Sequence, residues 1–361
     1  MKFAHFSHVW TKQGMTAADR YEQLWRELEL ADDLGFEYGF AVEHHFNPKE
    51  SLMPSPSIYC AGAAAHTKRM RVGPQGYITS LYDPIRLVEE VAVLDNVLNG
   101  RLEVGLISGV LPGFFEHFRG ADYERRSAVT QEFIPLVKDA FASDEGFDFH
   151  GEFNHYENVK LSVMPLQKPH PPIWRQTRDP EGLKQLAREG VHTGYILMYP
   201  RTETAPVYRE YLRLWQEAGH PEKPNIGYWT LVYVDETDEL AKANGIPLIT
   251  DSLNSTFGAL GGVGGVPQQE LAQGYEQKGE VAAADIIRHM TDAEFMIDNK
   301  IVFVGSPETV ARDVRQAAAE GCFNTLFCEF NLGQMSEEAL MNSIRLFGTK
   351  AIPELHNFQP Y

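Results

Sequence analysis

The stretch "TAADRYEQLWRELELADDLGFEYGFAV" (residues 16–42) sets two patterns side by side with one glycine between them. From Thr16 to Leu34 the apolar residues Tyr21, Leu24, Trp25, Leu28 and Ala31 recur at helical spacing, Thr16 stands where an N-cap belongs, and Gly35 stops the run. The next seven residues, Phe36–Val42, form a short apolar run bounded by polar residues, the signature of a buried strand. With "KFAHFS" (2–7) ahead of it, the segment reads strand, helix, strand. That rhythm repeats outward along the chain. Strands are expected at 70–78, 101–107, 173–177, 192–198, 225–234 and 324–330, with helices at 84–100, about 124–142, 180–190, 204–219, 308–321 and 336–355. Eight strands separated by helices predict an α/β fold of the (β/α)8 TIM-barrel type, as one domain spanning 1–361.

Two segments break the rhythm. "DFHGEFNHYENVKLSVMP" (148–165) alternates polar and apolar residues and reads as an insertion hairpin after the helix at 124–142. Residues 245–300 are too long for an ordinary connection and hold five glycines between Gly258 and Gly265. A mobile lid after the seventh strand and a surface insertion without a role both fit that composition.

The whole-chain totals narrow the function. With 32 Lys and Arg against 50 Asp and Glu, the net charge of −18 repels phosphate backbones and anionic membranes. No nucleic acid or membrane partner is expected. Three cysteines without paired spacing, no signal-like start and no long apolar run point to a cytoplasmic protein.

In a barrel the chemistry gathers at the C-terminal ends of the strands. The second strand runs into Glu43-His44-His45, where alternation directs one histidine to the barrel mouth and the other away. Metal binding, acid/base chemistry and a strand-end structural role are all open to this pair, although no HxH or HxxxH spacing supplies further ligands. "RQTRDPEG" (175–182) ends the fifth strand and starts a helix with Asp179 as N-cap and Pro180 at its first position, so Thr177, Arg178 and the helix-start N–H groups form a candidate phosphate cradle. Arg125 and Arg126 open another helix against its dipole, held either by an anionic ligand or by Asp122 or Glu124. "VGPQGY" (72–77) offers glycines that let a planar ligand approach the backbone, or make a simple turn. Trp10, Phe46, Tyr77, Phe114, Phe115, Tyr195, Met198 and Trp229 sit near strand ends and are candidates for an apolar substrate pocket, or for core packing.

"GFEYGFAVEHHF" (35–46), "DPIRLVEEVAVLDNVLNGRLEVGL" (83–106) and the tail from "VGSPE" (304–308) to 355 together resemble the bacterial luciferase-like flavin monooxygenases, alkanal monooxygenase among them, in order over nearly the whole chain. The resemblance implies the TIM-type barrel and reduced FMN (FMNH2) delivered by a separate NAD(P)H:flavin reductase. It implies reaction with O2 to a C4a-peroxyflavin, oxygenation of a small, largely apolar organic molecule, and a dimer packed through the N-terminal half. It places His44 beside the flavin, Glu43 as an orienter of one histidine, a cis bond at Gln75-Gly76 under the ring, and the flavin phosphate near Ser108, Arg125 or Arg126, Thr177, Arg178 and Asp179. No metal is implied. Two departures stand out: Ile107-Ser108 replaces a cysteine-arginine pair, and Thr177-Arg178-Asp179 replaces a small serine-containing loop. A deazaflavin (F420)-dependent hydride-transfer enzyme and a non-catalytic flavin-binding subunit are the alternatives.

Overall fold

The computed structural model describes residues 1–177, 179–258 and 266–361. Twelve strands are found among them: β1 (Lys2–Ser7), β2 (Tyr38–Ala41), β3 (Arg71–Pro74), β4 (Tyr77–Ile78), β5 (Val104–Ile107), β6 (Phe147–His150), β7 (His155–Val159), β8 (Ile173–Trp174), β9 (Thr193–Ile196), β10 (Ile226–Val234), β11 (Phe303–Gly305) and β12 (Thr325–Glu329). Every one of the eight sequence-expected strands has a counterpart. All pairs are parallel except the β6–β7 hairpin, so the molecule is an α/β fold with a parallel central sheet.

The pairing runs β9–β10–β12–β1–β2–β3, with β11 beside the far end of β10, and separately β4–β5–β8. Single parallel bridges, Val72 to Leu102 and Trp174 to His192, link the two groups. The seam between β3 and β5 depends on glycine. A Cβ on Gly73 would stand 2.1 Å from the Glu103 carbonyl oxygen, and one on Gly76 would stand 2.3 Å from the Gly105 carbonyl carbon. The expected third strand is split into β3 and β4 by a cis Gln75–Gly76 peptide. Gly76 therefore serves the close approach of two strands, since the Gly105 backbone fills the place a Cβ would take.

The helix Ala17–Asp33 shows how sequence pattern becomes packing. Thr16 and Asp19 form a reciprocal capping box, and Leu24, Leu28 and Ala31 are buried. Its buried face also holds Arg20 and Glu27, while Tyr21 and Trp25 are only partly covered. The two charges tolerate burial because they pair: Arg20 Nη1 donates to Glu27 Oε1 at 2.8 Å and His5 Nε2 lies 3.1 Å from Glu27 Oε2. Arg20 Nε also donates to the Trp10 carbonyl at 2.7 Å, which ties the end of β1 to this helix.

Inside the sheet, an aromatic layer fills the middle. Phe327 stacks on Phe6 at 6.0 Å and meets Phe40 and Trp174 edge-on at 5.2 and 5.6 Å. After β10, the chain forms helices at Asp238–Leu253, Gln268–Gln277, Val281–Arg288 and Ala293–Asp298 before β11. The 245–300 segment is thus largely helical where described. The glycine-rich part of the expected lid, residues 259–265, lies outside the described residues.

Candidate active site

A cavity of about 450 Å³ opens beyond the aromatic layer, within the size range of small-molecule sites. Its wall comes from the C-terminal ends of the strands. His8 follows β1, Val42 to His44 follow β2, Gln75 follows β3, Ser108 to Leu111 follow β5, and Gln176, Thr177 and Asp179 follow β8. Tyr195, Ile196 and Met198 come from β9 and its exit, Trp229 from β10, and Thr256 and Phe257 from the segment after residue 253.

The adjacent histidines part company as strand alternation requires. His44 lines the cavity; its Nδ1 lies 2.7 Å from Glu50 Oε1, without the alignment of a hydrogen bond, and its ring meets Phe114 edge-on at 5.6 Å. Glu50 is buried, and Asn47 Nδ2 reaches its other oxygen at 3.4 Å. His45 turns to Glu43, with Nε2 3.0 Å from Oε1, and packs edge-on against Phe118. Glu43 in turn accepts the Ile78 N–H at 2.6 Å and the Tyr82 hydroxyl at 2.8 Å. Burial and that carboxylate push the Tyr82 phenol upward.

A second histidine reaches the same wall. His8 stands between Trp10, stacked at 5.0 Å, and Trp229 at 5.1 Å, and meets His44 edge-on at 5.5 Å. Glu329 Oε2, at the end of β12, accepts the His8 backbone N–H at 2.8 Å and lies 2.8 Å from Nδ1. Burial, with His44 nearby, pushes His8 well below the usual imidazole range, and burial holds the Glu329 carboxyl well above the usual carboxylate range. Sequence reading passed over His8, Glu50 and Glu329. His8 and Glu329 follow the same strand-end rule that singled out His44, so position alone would have found them. Glu50 carries no such signal, because only the turn from Asn47 to Ser51 brings it back to His44.

The other expected residues divide. Gln75, Ser108, Thr177, Asp179, Phe114, Tyr195, Met198 and Trp229 line the cavity. Arg178 lies outside the described residues. Asp179 Oδ2 accepts the Gly182 N–H at 2.6 Å and so caps the helix Pro180–Glu189. Five further expectations are corrected. Trp10 sits one layer back, behind His8. Phe46 is 61% exposed and packs on His117, outside the cavity. Tyr77 is buried in the core beside Ser57 and Tyr82, and Phe115 packs against Tyr123. Arg125 lies over the Phe153 ring at 4.4 Å, toward the β6–β7 hairpin. Arg126 is closer to the site: it donates to the Gly109 carbonyl at 3.2 Å and to the Tyr123 carbonyl at 2.6 Å, and Gly109 lines the cavity.

Several buried polar atoms in this wall lack a partner among the described residues, including Gln75 Nε2, Trp229 Nε1 and Thr256 Oγ1. Unpaired buried donors are costly, and donors on residues that line a cavity suit a ligand that brings acceptors. No group of three His, Cys, Asp or Glu side chains able to hold a metal ion occurs among the described residues.

A parallel α/β sheet with a cavity at its strand ends, walled in part by histidines, has its candidate small-molecule site where such folds place theirs. The chain belongs to the luciferase-like monooxygenase family, whose description matches residues 1–324. It is 30% identical over 191 residues to the oxygenase component of a flavin-dependent trigonelline monooxygenase of Acinetobacter baylyi, covering 52% of this chain and 51% of that protein. The chain thus spans about half the length of the curated relatives it matches. The fold is similar to the oxygenating constituent of 3,6-diketocamphane monooxygenase from Pseudomonas putida, solved with FMN (TM-score 0.74, 19% identity, 98% of each chain). It is also similar to an F420-dependent secondary alcohol dehydrogenase (TM-score 0.69, 16% identity, 98% of each chain). Among the described residues no helix is long and apolar enough to cross a membrane.

Proposed function

We propose that the protein is the oxygenase of a two-component system that takes reduced FMN and O2 and oxygenates a small, largely apolar organic substrate. The observation that carries this reading is the meeting of His44, the unpaired Gln75 amide and the Ser108–Thr177 wall around one cavity. The chain of parallel pairs and two bridges supports a closed (β/α)8 barrel around it. An isoalloxazine ring fits the donors present, because its carbonyls supply the acceptors that Gln75 Nε2 and Trp229 Nε1 lack. Gln75 would hold the ring, and Ser108, Thr177, Arg178 and Arg126 the phosphate end. Reduced flavin, when bound, activates O2 for transfer of one oxygen atom to substrate.

The chain's own residues do the rest. His44, edge-on to Phe114 and backed by Glu50, presents its remaining ring nitrogen to the cavity for proton exchange. Phe6, Ile107, Leu111, Phe114, Met198 and Trp229 exclude water and offer an apolar bed to the substrate. A homodimer is part of the proposal: Ile58, Val93 and Val97 are exposed on the adjacent helices Pro56–His66 and Pro84–Val97 of the N-terminal half.

The test is a pair of measurements. FMN titration should show saturable binding, and reduced FMN from an added flavin reductase should support substrate-dependent O2 consumption in a panel of apolar ketones, aldehydes and aromatics. Anaerobic turnover with F420 and an alcohol would instead establish the deazaflavin alternative. Tight flavin binding with no substrate-dependent O2 uptake would establish the non-catalytic one.

A further inference from the structure

Beside His44, the cavity holds a second histidine whose surroundings are unlike those of the other two. His45 is served by Glu43, which accepts two further donors. His8 is served by Glu329, whose Oε2 takes the backbone N–H and faces Nδ1, while Oε1 is buried without a partner. A buried carboxylate with one bare oxygen is expensive, whereas a carboxylic acid that points its proton at an imidazole nitrogen leaves only a neutral carbonyl unpaired. Burial favours the protonated acid; among the nearby charges Glu27 adds to that preference and Arg20 opposes it. Behind it, Arg20 is already engaged by Glu27, with His5 on the far oxygen, so Glu27 keeps its negative charge close to Glu329. Beside it on the same wall stand His44 and Glu50, at 5.5 Å between the histidine rings.

We infer that Glu329 and His8 form a proton relay: Glu329 is a carboxylic acid donating to His8 Nδ1, and His8 presents Nε2–H to the cavity as a second proton donor besides His44. The inference rests on the oxygenase reading for its purpose, namely quenching an oxyanion that develops on the reacting molecules. The step balances without electrons. The Glu329 O–H bond breaks as an Nδ1–H bond forms, and the Nε2–H bond breaks as the oxyanion takes that proton. One proton leaves the pair, which remains as a carboxylate with a neutral Nδ1–H imidazole, and solvent in the open cavity restores it. His8 Nε2 has no protein partner among the described residues, and the flanking Trp10 and Trp229 rings fix the plane in which it points. Burial raises the acid and lowers the imidazole, the directions a neutral pair requires.

The protonation is testable in the protein without cofactor. Nitrogen-15 spectra of histidine-labelled protein should show one ring, absent in His8→Gln, that stays neutral and protonated on Nε2 between about pH 5 and pH 8, the range over which an ordinary imidazole titrates. Infrared difference spectra should show a carboxylic-acid carbonyl band that Glu329→Gln removes. An imidazolium, an Nδ1–H tautomer or the lack of that band would each overturn the relay. In turnover, His8→Gln should lower kcat by about 10²-fold with FMN affinity within about twofold. Glu329→Gln, which keeps the side-chain shape but has no acid proton to pass to Nδ1, should lose roughly tenfold. Wild-type kcat in both variants would overturn the catalytic part. Lack of FMN binding by the wild type would sink the oxygenase reading separately, since the two spectra are read without flavin.

Discussion

The two walls of the cavity are made from different chemistry. The wall from β1, β2 and β12 carries two histidines, each set against a buried carboxylate, His8 with Glu329 and His44 with Glu50, while a third, His45, turns away from the cavity to Glu43. The wall from β9, β10 and residues 256–257 is built from Tyr195, Ile196, Met198, Trp229, Thr256 and Phe257, with no charged side chain among them. Proton handling is thereby concentrated on one side and shape on the other. A substrate can be changed by altering the second wall without disturbing the protonation built into the first.

Substitutions should separate the walls. His44→Ala is expected to cost the most, about 10²- to 10⁴-fold in kcat, with the unfolding midpoint unchanged in a denaturant titration. Glu27→Gln breaks the ion pair beneath the charged wall and should lose about 3–5 kcal/mol of stability, because it leaves Arg20 buried and uncompensated; a urea midpoint equal to wild type would show that the pair contributes nothing. Arg178→Ala should weaken FMN binding by roughly tenfold or more, read by fluorescence titration, if a bidentate arginine holds the phosphate end. On the neutral wall, Met198→Ala should change kcat/KM by about tenfold between substrates of different bulk while leaving the pH profile in place; a shifted profile would mean that the walls are coupled.

The smallest expected effect lies away from the cavity. His192 Nδ1 accepts the Asn225 backbone N–H at 3.3 Å, and burial, with Lys2 and Arg71, pushes the ring down to about 3 from 6.5. A lowered folded-state value means that the stabilisation is complete above pH 6.5 and is lost as pH falls toward 3. His192→Gln should therefore move the acid unfolding midpoint down by about half a pH unit, measured by circular dichroism.

Much of the sheet was legible because strand and helix periods alternate cleanly from Lys2 to Ala41, from Arg71 to Ile107 and again from Phe303 onward, although the helix Pro56–His66 was not expected. The expected fifth strand, 173–177, shrinks to Ile173–Trp174 because Gln176 and Thr177 leave the sheet to line the cavity. The helix Asp238–Leu253 was hidden by Gly245 and Pro247. Gly245 is there for contact: a Cβ would come within 2.7 Å of the Tyr233 ring. Within the site, His44 was reached through its strand-end position and the company of neighbouring motifs. The His8–Glu329 pair joins residues 321 positions apart, and the meaning of each depends on the other being buried beside it. Phe46 and Arg125 misled for the opposite reason, since proximity to a strand end or a helix start does not say which way a side chain turns.

The arrangement of the sheet has a mechanical consequence. The arc β4–β5–β8 is joined to the larger group of strands by a single bridge at either end, Val72 to Leu102 and Trp174 to His192. Stiffness is therefore uneven around the cavity: the β1–β2–β12 side is a continuous ladder, and the side bearing Ser108 and Thr177 hangs between two hinges of few bonds. Amide exchange along β5 and β8 is therefore expected to run ahead of exchange along β1 and β12, where the ladder is unbroken.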